Sequence, residues 1–371
     1  MSINLLDSLT ETLLMGPGPA CVPPAVYQAI AKPTIGHLDP RFIAIMDEIK
    51  ARLQQVMQTR NRLTLPISGT GSAGMETAFV NLVEHGDRVL ILKNGVFGMR
   101  MVDVAQRLGA EVDVIEFEWG TPVDVEKVKV QLASRSYKIV AVVHAETSTG
   151  AMNPVAEIGA AVKPTGALYL VDAVTSLGGI PVETDAWGID VIYSGTQKCL
   201  SCPPGLAPVS FSDRAVETLR ARRTKVPNWY LDLTMIVDYW QGAKRAYHHT
   251  APINMLYAID AALEAILEEG LEAVFARHAE THRRLVAGLE AMGLSMPVAP
   301  ASRLPMLNAV RVPEGVDEAA VRSRLLKEFD IEIGAGLGPL AGKIWRIGLM
   351  GHTARAQNVD RLLDALKKIL F

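Results

Sequence analysis

Cysteine is scarce in this chain: Cys21, Cys199 and Cys202 are the only three in 371 residues. An odd, sparse count excludes a disulfide framework and fits a reducing, cytoplasmic location. Long hydrophobic runs are missing too. The longest clean ones, such as Ile139 to Val143, have strand length, far below the roughly 18 residues a membrane span requires, so no membrane association is expected. No lysine or arginine precedes Lys32, and without a positive n-region Met1 to Met15 is not expected to be a secretory signal. Neither charge sign is in excess. Lys+Arg 37 against Asp+Glu 40 leaves a net charge of -3, which gives no electrostatic hold on nucleic acid. Internal repeats and low-complexity tracts are absent as well.

What is present suits a large globular protein, 49% hydrophobic and 21% charged. A chain of this length buries roughly three-quarters of its unfolded surface and needs no disulfide or metal staple. The mean hydropathy of +0.19 is slightly high and hints at a wide subunit interface. From residue 60 onward, apolar runs of strand length at 63–67, 88–92, 112–115, 139–143 and 167–171 alternate with helix-period segments at 74–83, 97–108 and 125–132. Near-continuous apolar strands between helices predict an α/β fold, a mostly parallel sheet covered on both faces with its chemistry at the strands' carboxyl ends. Residues 253–292 read as one long helical stretch. Beyond it, strand-like 308–312, 331–333 and 344–348 and helices at 318–327 and 358–370 predict a smaller α+β domain. The division expected is an arm at 1–20, which is rich in Gly and Pro from Gly16 on, a large domain at 21–270 and a small one at 271–371.

Three constellations carry chemistry. Ser68-Gly69-Thr70-Gly71-Ser72-Ala73-Gly74 follows a strand and opens a helix, so glycines, hydroxyls and a helix N-terminus suit a phosphate. Gly69, Gly71 and Gly74 also satisfy G-x-G-x-x-G, the pattern of a Rossmann-type NAD-binding oxidoreductase. That reading wants an acid after the next strand, which instead ends Leu92-Lys93-Asn94. The second is Asp172, closing the apolar run Leu168-Tyr169-Leu170-Val171. It is either a solvated strand end or an acid that keeps a heteroaromatic nitrogen protonated. The third is Lys198, after Ser194-Gly195-Thr196-Gln197, a small-residue turn able to aim and desolvate an amine. Together a cradle, a strand-end Asp and a strand-end Lys make the layout of a pyridoxal 5'-phosphate (PLP) site.

The chain resembles the class V, fold-type I PLP aminotransferases, and within them the alanine–glyoxylate and serine–glyoxylate or serine–pyruvate group. The motifs that carry the resemblance span nearly the whole length: Leu13-Leu14-Met15-Gly16-Pro17-Gly18-Pro19, Gly36-His37-Leu38-Asp39-Pro40, Ser68-Gly69-Thr70-Gly71 and Asn94-Gly95-Val96-Phe97-Gly98. They continue through Glu146-Thr147-Ser148-Thr149-Gly150, Val171-Asp172-Ala173-Val174, Ser194-Gly195-Thr196-Gln197-Lys198, Tyr247-His248-His249-Thr250 and Trp345-Arg346-Ile347-Gly348. The resemblance implies Lys198 as the Schiff-base lysine and proton shuttle and Asp172 as the partner of the ring nitrogen. It implies Thr70, Gly71, Ser72 and Gln197 on the phosphate, Phe97 stacked on the ring and Thr147 near the ring hydroxyl. Tyr247 and Thr250 would reach the phosphate of the neighbouring subunit, making a homodimer with shared active sites. Arg346 would clamp the substrate carboxylate, and Gly16 would face the substrate. Ser72 stands where some relatives carry His, and Phe97 where some carry Trp. The implied reaction moves the amino group of alanine or serine to glyoxylate. Relatives acting on ureidoglycine or aminoethylphosphonate remain compatible.

The other features have plainer readings. Cys199 and Cys202 form a C-x-x-C without a second pair, so neither zinc nor redox chemistry is expected. His278 and His282 lack the glutamate of H-E-x-x-H and are expected on a solvated helix face. Trp187, Trp229, Trp240 and Trp345 are expected in core or interface, and no metal site is predicted.

Overall fold

The computed structural model describes residues 5–241 and 245–371. Its main sheet has seven strands: β1 (Leu63–Ser68), β2 (Arg88–Lys93), β3 (Glu111–Glu116), β4 (Ile139–Val143), β5 (Leu168–Asp172), β6 (Val191–Tyr193) and β7 (Leu206–Phe211). They lie in the order β1-β7-β6-β5-β4-β2-β3. Every pair is parallel except the two made by β7, which runs antiparallel to β1 and β6. Central β4, β5 and β7 are buried at every position, which is why β4 and β5 read as near-continuous apolar runs rather than alternation. β3 is an edge strand and carries Glu111, Asp113 and Glu116, charges that discourage pairing with another chain.

Helices α1 (Pro40–Val56), α2 (Gly71–Leu82), α3 (Val96–Arg107) and α4 (Val125–Ser134) precede or connect these strands. α1 starts at Pro40, with the Asp39 side chain accepting from the Arg41 N–H, a proline-led and capped N-terminus. The sequence reading passes over both α1 and β7. β7 is hard to see because Pro208 sits inside it and a proline demotes a run; in the fold Pro208 stands opposite Pro66. The stretch expected as one helix is broken at Gly270, whose φ of 85° suits glycine. It gives α5 (Ile253–Glu269) and α6 (Leu271–Ala291).

A second apolar core gathers Leu285, Leu289, Leu325, Trp345, Ile347, Leu362 and Leu366. Its antiparallel sheet places β8 (Leu307–Arg311) and β9 (Gly334–Ala335) on either side of β10 (Ile344–Gly348). The closing helix α7 (Ala356–Leu370) packs on α6 and supplies Leu362 and Leu366. Leu13 and Met15 join this core, because 13–14 pairs in parallel with Ile331–Glu332. Part of the stretch read as an arm is thus tied down. His278 corrects a second expectation. It is fully buried, donates Nδ1–H to the Val274 carbonyl at 2.7 Å and accepts the Gly351 N–H at Nε2, 2.9 Å. Burial pushes its pKa down to about 4, in keeping with a neutral ring bridging α6 to the loop after β10.

Candidate active site

Strand ends and turns converge at the carboxyl edge of the main sheet. Asp172 closes β5 and is buried. Its Oδ1 accepts the Val174 N–H and its Oδ2 the Tyr193 hydroxyl, each at 2.8 Å. Tyr193 lies directly across the ladder from Asp172. Two donors leave part of a carboxylate's acceptor capacity open, and burial, opposed by those bonds and by Lys198, pushes the pKa up to about 6. A protonated ring nitrogen is a partner that would reverse that shift.

Lys198 ends the turn after β6. Ser194 Oγ donates to the Ala173 carbonyl at 3.0 Å and Thr196 Oγ1 to the Pro203 carbonyl at 2.7 Å, so the small polar residues stiffen the turn. The lysine amine donates to the Pro17 carbonyl, and a Cβ on Gly18 would collide with it. Burial, and then the charge of Arg346, pulls its pKa down to about 8, so about a tenth of it is an uncharged nucleophile at pH 7, far more than for a free lysine.

The cradle opens α2. Thr70 is the N-cap residue and makes no side-chain cap bond, leaving the first N–H groups and the helix dipole for an anion. A Cβ on Gly71 would come within 3.0 Å of Val174, and one on Gly74 within 3.0 Å of Tyr193. These glycines therefore bring cradle and sheet together. Gln197 Oε1 is buried with no hydrogen-bond partner among the described residues. An open helix N-terminus, a carboxylate with spare capacity and a softened lysine fit PLP well.

On the other flank, Phe97 rides on the first turn of α3 with the Arg100 guanidinium 4.8 Å from its ring centroid. Thr147 is buried, and its carbonyl accepts from Arg346 Nη1 at 3.2 Å. Arg346 on β10 also donates Nε–H to the Ala335 carbonyl at 2.6 Å. Its exposure is 7%, and it has no carboxylate at ion-pair distance among the described residues. Burial lowers its pKa to about 10, a guanidinium held open for an anionic group. Gly16 is buried beside β10, and a Cβ on Gly348 would run into its carbonyl.

Tyr247 and Thr250 stand apart from this cluster. Both are exposed, they bond each other at 3.3 Å, and the Tyr247 ring lies 5.0 Å from His37. Tyr193, Glu146 and Pro17 touch the site without having been singled out as site residues in the sequence. Tyr193 needed the strand pairing to be seen, and Pro17 acts through its backbone.

The aminotransferase class-V family model matches residues 14–362. The chain belongs to the class V aminotransferases. It is 41% identical to the alanine–glyoxylate aminotransferase of Mus musculus, over 98% of this chain and 88% of that one. It is 40% identical to the (S)-ureidoglycine–glyoxylate transaminase of Bacillus subtilis, over 96% and 90%. The crystal structure of an alanine–glyoxylate aminotransferase from Nostoc sp. superposes with a TM-score of 0.95 at 49% identity, covering all of both chains. This class V aminotransferase is therefore a PLP-dependent transaminase of the fold-type I architecture, and the dinucleotide reading of Gly69, Gly71 and Gly74 falls.

Proposed function

We propose that this aminotransferase moves the amino group of a small amino acid, alanine or serine, to glyoxylate, giving glycine and pyruvate or hydroxypyruvate. The observation that carries the reading is Arg346: a buried fork without a carboxylate of its own, near enough to Lys198 to depress its pKa. The segment through Pro17 and Gly18 lies on the lysine amine, and such crowding favours a small side chain on the substrate. Relatives at about 40% identity that use glyoxylate support the acceptor. Ureidoglycine as donor is the second reading, favoured by the B. subtilis relative.

PLP when bound supplies the electron sink that makes the substrate's Cα–H acidic. The remaining work belongs to this chain. Arg346 pairs in a bidentate manner with the substrate carboxylate, fixing the Cα within reach of Lys198. Lys198 Nζ takes the Cα proton and returns it, its pKa of about 8 being suited to both directions near neutral pH. Asp172 holds a proton on the ring nitrogen, its own position fixed by Val174 and Tyr193. Thr70, Gly71, Ser72 and Gln197 would hold the phosphate, Phe97 would cover the ring and Thr147 would stand by its hydroxyl.

The same reading includes a homodimer in which Tyr247 and Thr250 serve the partner's phosphate. Exposed Leu38, Trp229, Tyr230 and Tyr247 support a covered face there. Three free cysteines, two of them buried, support a reducing cytoplasm. A matrix of alanine, serine and glycine as donors against glyoxylate, pyruvate and hydroxypyruvate tests the substrate assignment. Turnover of alanine or serine with glyoxylate should exceed every other pair, and preference for another acceptor would refute it.

A further inference from the structure

Helix α3 begins without a cap of its own. Its N-cap is Gly95, and the first N–H groups of a helix have no carbonyl within it. The loop after β4 supplies the acceptors. Ser148 Oγ accepts from the Val96 N–H at 3.0 Å, while Glu146 Oε2 accepts from Phe97 at 3.1 Å and Gly98 at 3.4 Å. Glu146 Oε1 accepts the Ser148 N–H at 3.1 Å and its hydroxyl at 2.6 Å. Gly95 must be glycine here, since any Cβ would run into the Glu146 carboxyl and the Ser148 hydroxyl. Glu146 is wholly buried, and no cation lies at ion-pair distance among the described residues. An isolated carboxylate is expensive to bury. Backbone donors, a hydroxyl and the positive end of α3 offset part of that cost, and burial still pushes its pKa up to about 7.

None of the steps assigned to Lys198, Asp172 and Arg346 uses a proton of Glu146. What the carboxylate does is hold two walls of the site together. Phe97 is one of its donors, Thr147 sits between its two clamped positions in the chain, and the Thr147 carbonyl is an anchor for Arg346. We propose that Glu146 is a positioning residue: by capping α3 from the neighbouring loop it seats Phe97 and Thr147 against the cofactor ring. The inference rests on the reading that Phe97 covers that ring.

The test compares Glu146→Gln, Glu146→Ala, Phe97→Leu and, as a control for loss of a buried hydrogen-bonding side chain elsewhere, Asn81→Ala. Asn81 is wholly buried and bonds the Leu231 carbonyl and the Leu233 N–H. Each full-length protein is stripped of PLP and titrated with it, reading the dissociation constant and the visible circular dichroism of bound cofactor, with thermal melting of the stripped protein alongside. In Glu146→Gln the amide keeps one oxygen for α3, but its N–H₂ leaves the Ser148 N–H without an acceptor. Its PLP affinity should fall about tenfold to a hundredfold with an altered dichroic band, while Asn81→Ala lowers only the melting temperature. Glu146→Ala should be worse, and if it does not fold the glutamine variant decides. Unchanged affinity and dichroism in folded Glu146→Gln, with Phe97→Leu impaired, would overturn the clamp and leave the Phe97 reading standing. Equal losses in Glu146→Gln and Asn81→Ala would reduce Glu146 to a stability role and overturn it too. If Phe97→Leu also binds PLP normally, the stacking reading fails first and the clamp with it.

Discussion

Asp172 and Tyr193 at the floor of the site are buried and bonded to one another across adjacent strands, whereas Tyr247 and Thr250 are exposed and bonded to each other on an outer segment. The floor is completed within one chain, by ladder pairing and turns whose hydroxyls are already engaged. The outer segment presents aromatic surface and hydroxyls to the outside. Its neighbour His249 is hydrogen-bonded through Nε2 to the Ser68 hydroxyl at 2.9 Å, linking it to the strand that leads into the cradle. Chemistry concentrated at the floor should respond to single substitutions in isolation; a flank that serves another copy should respond to mixing.

The largest effect is expected at the floor. Lys198→Ala should abolish the yellow colour of the bound cofactor and reduce turnover by more than about 10⁴-fold, measured by absorbance and steady-state assay. Colour and turnover both surviving would remove the lysine from its role.

Asp172→Asn comes next, and it separates function from stability. Activity should fall about a hundredfold to a thousandfold, as for other preorganised charges that act in the transition state. Folding should respond in the opposite sense. Burial raises the carboxyl to about 6 from 3.8, so its contribution is fully present below about pH 4 and is lost as pH rises through 6. The stripped variant should therefore exceed the stripped wild type by on the order of 3 kcal/mol at pH 8, with the gap closing toward pH 4. Denaturant unfolding at both pH values checks this; equal stabilities at pH 8 would mean that the burial penalty is relieved by water or by movement.

The flank is sharpened by complementation. Lys198→Ala and Tyr247→Ala chains, co-expressed with different tags, should form mixed dimers in which one of the two sites keeps both residues. With random pairing the activity should approach about a quarter of wild type, above either parent. No gain over the mean of the parents would make each site self-contained and refute the shared-site reading.

The same contrast decides what could be read in the sequence. Asp172 was legible because it ends an apolar strand with a polar residue, and Lys198 because it closes a small polar turn just after one, where parallel sheets put their chemistry. The cradle was legible because closely spaced glycines open a helix. Tyr193 was not, since its role depends on pairing opposite Asp172, a register that sequence spacing does not contain. β7 escaped notice because its proline argues against a strand, and the break at Gly270 because residues on both sides keep a helical period. His278 of α6 was misread for a related reason: it is satisfied by a backbone N–H from Gly351, distant in sequence. Tyr247 and Thr250 carry no local signal at all and came only from the resemblance.

Phe97 lies between the two regions and offers the smallest effect. It is half-buried and carries the Arg100 guanidinium 4.8 Å from its ring centroid, and in the proposed reading the ring would cover the cofactor. An indole presents a wider face to the ring, and tryptophan is also the better partner for a guanidinium. Aromatic pairs differ by about 0.5–1.5 kcal/mol beyond the area they bury, so Phe97→Trp should tighten PLP binding by about twofold to tenfold, read by titration of the stripped protein. The gain requires that the first turn of α3 leave room for the larger ring. If affinity falls instead, overpacking has won, and the seat fixed by Gly95, Glu146 and Ser148 is already matched to phenylalanine. Either result locates the site's rigidity, because room at Phe97 is set by the loop clamp and not by the cofactor.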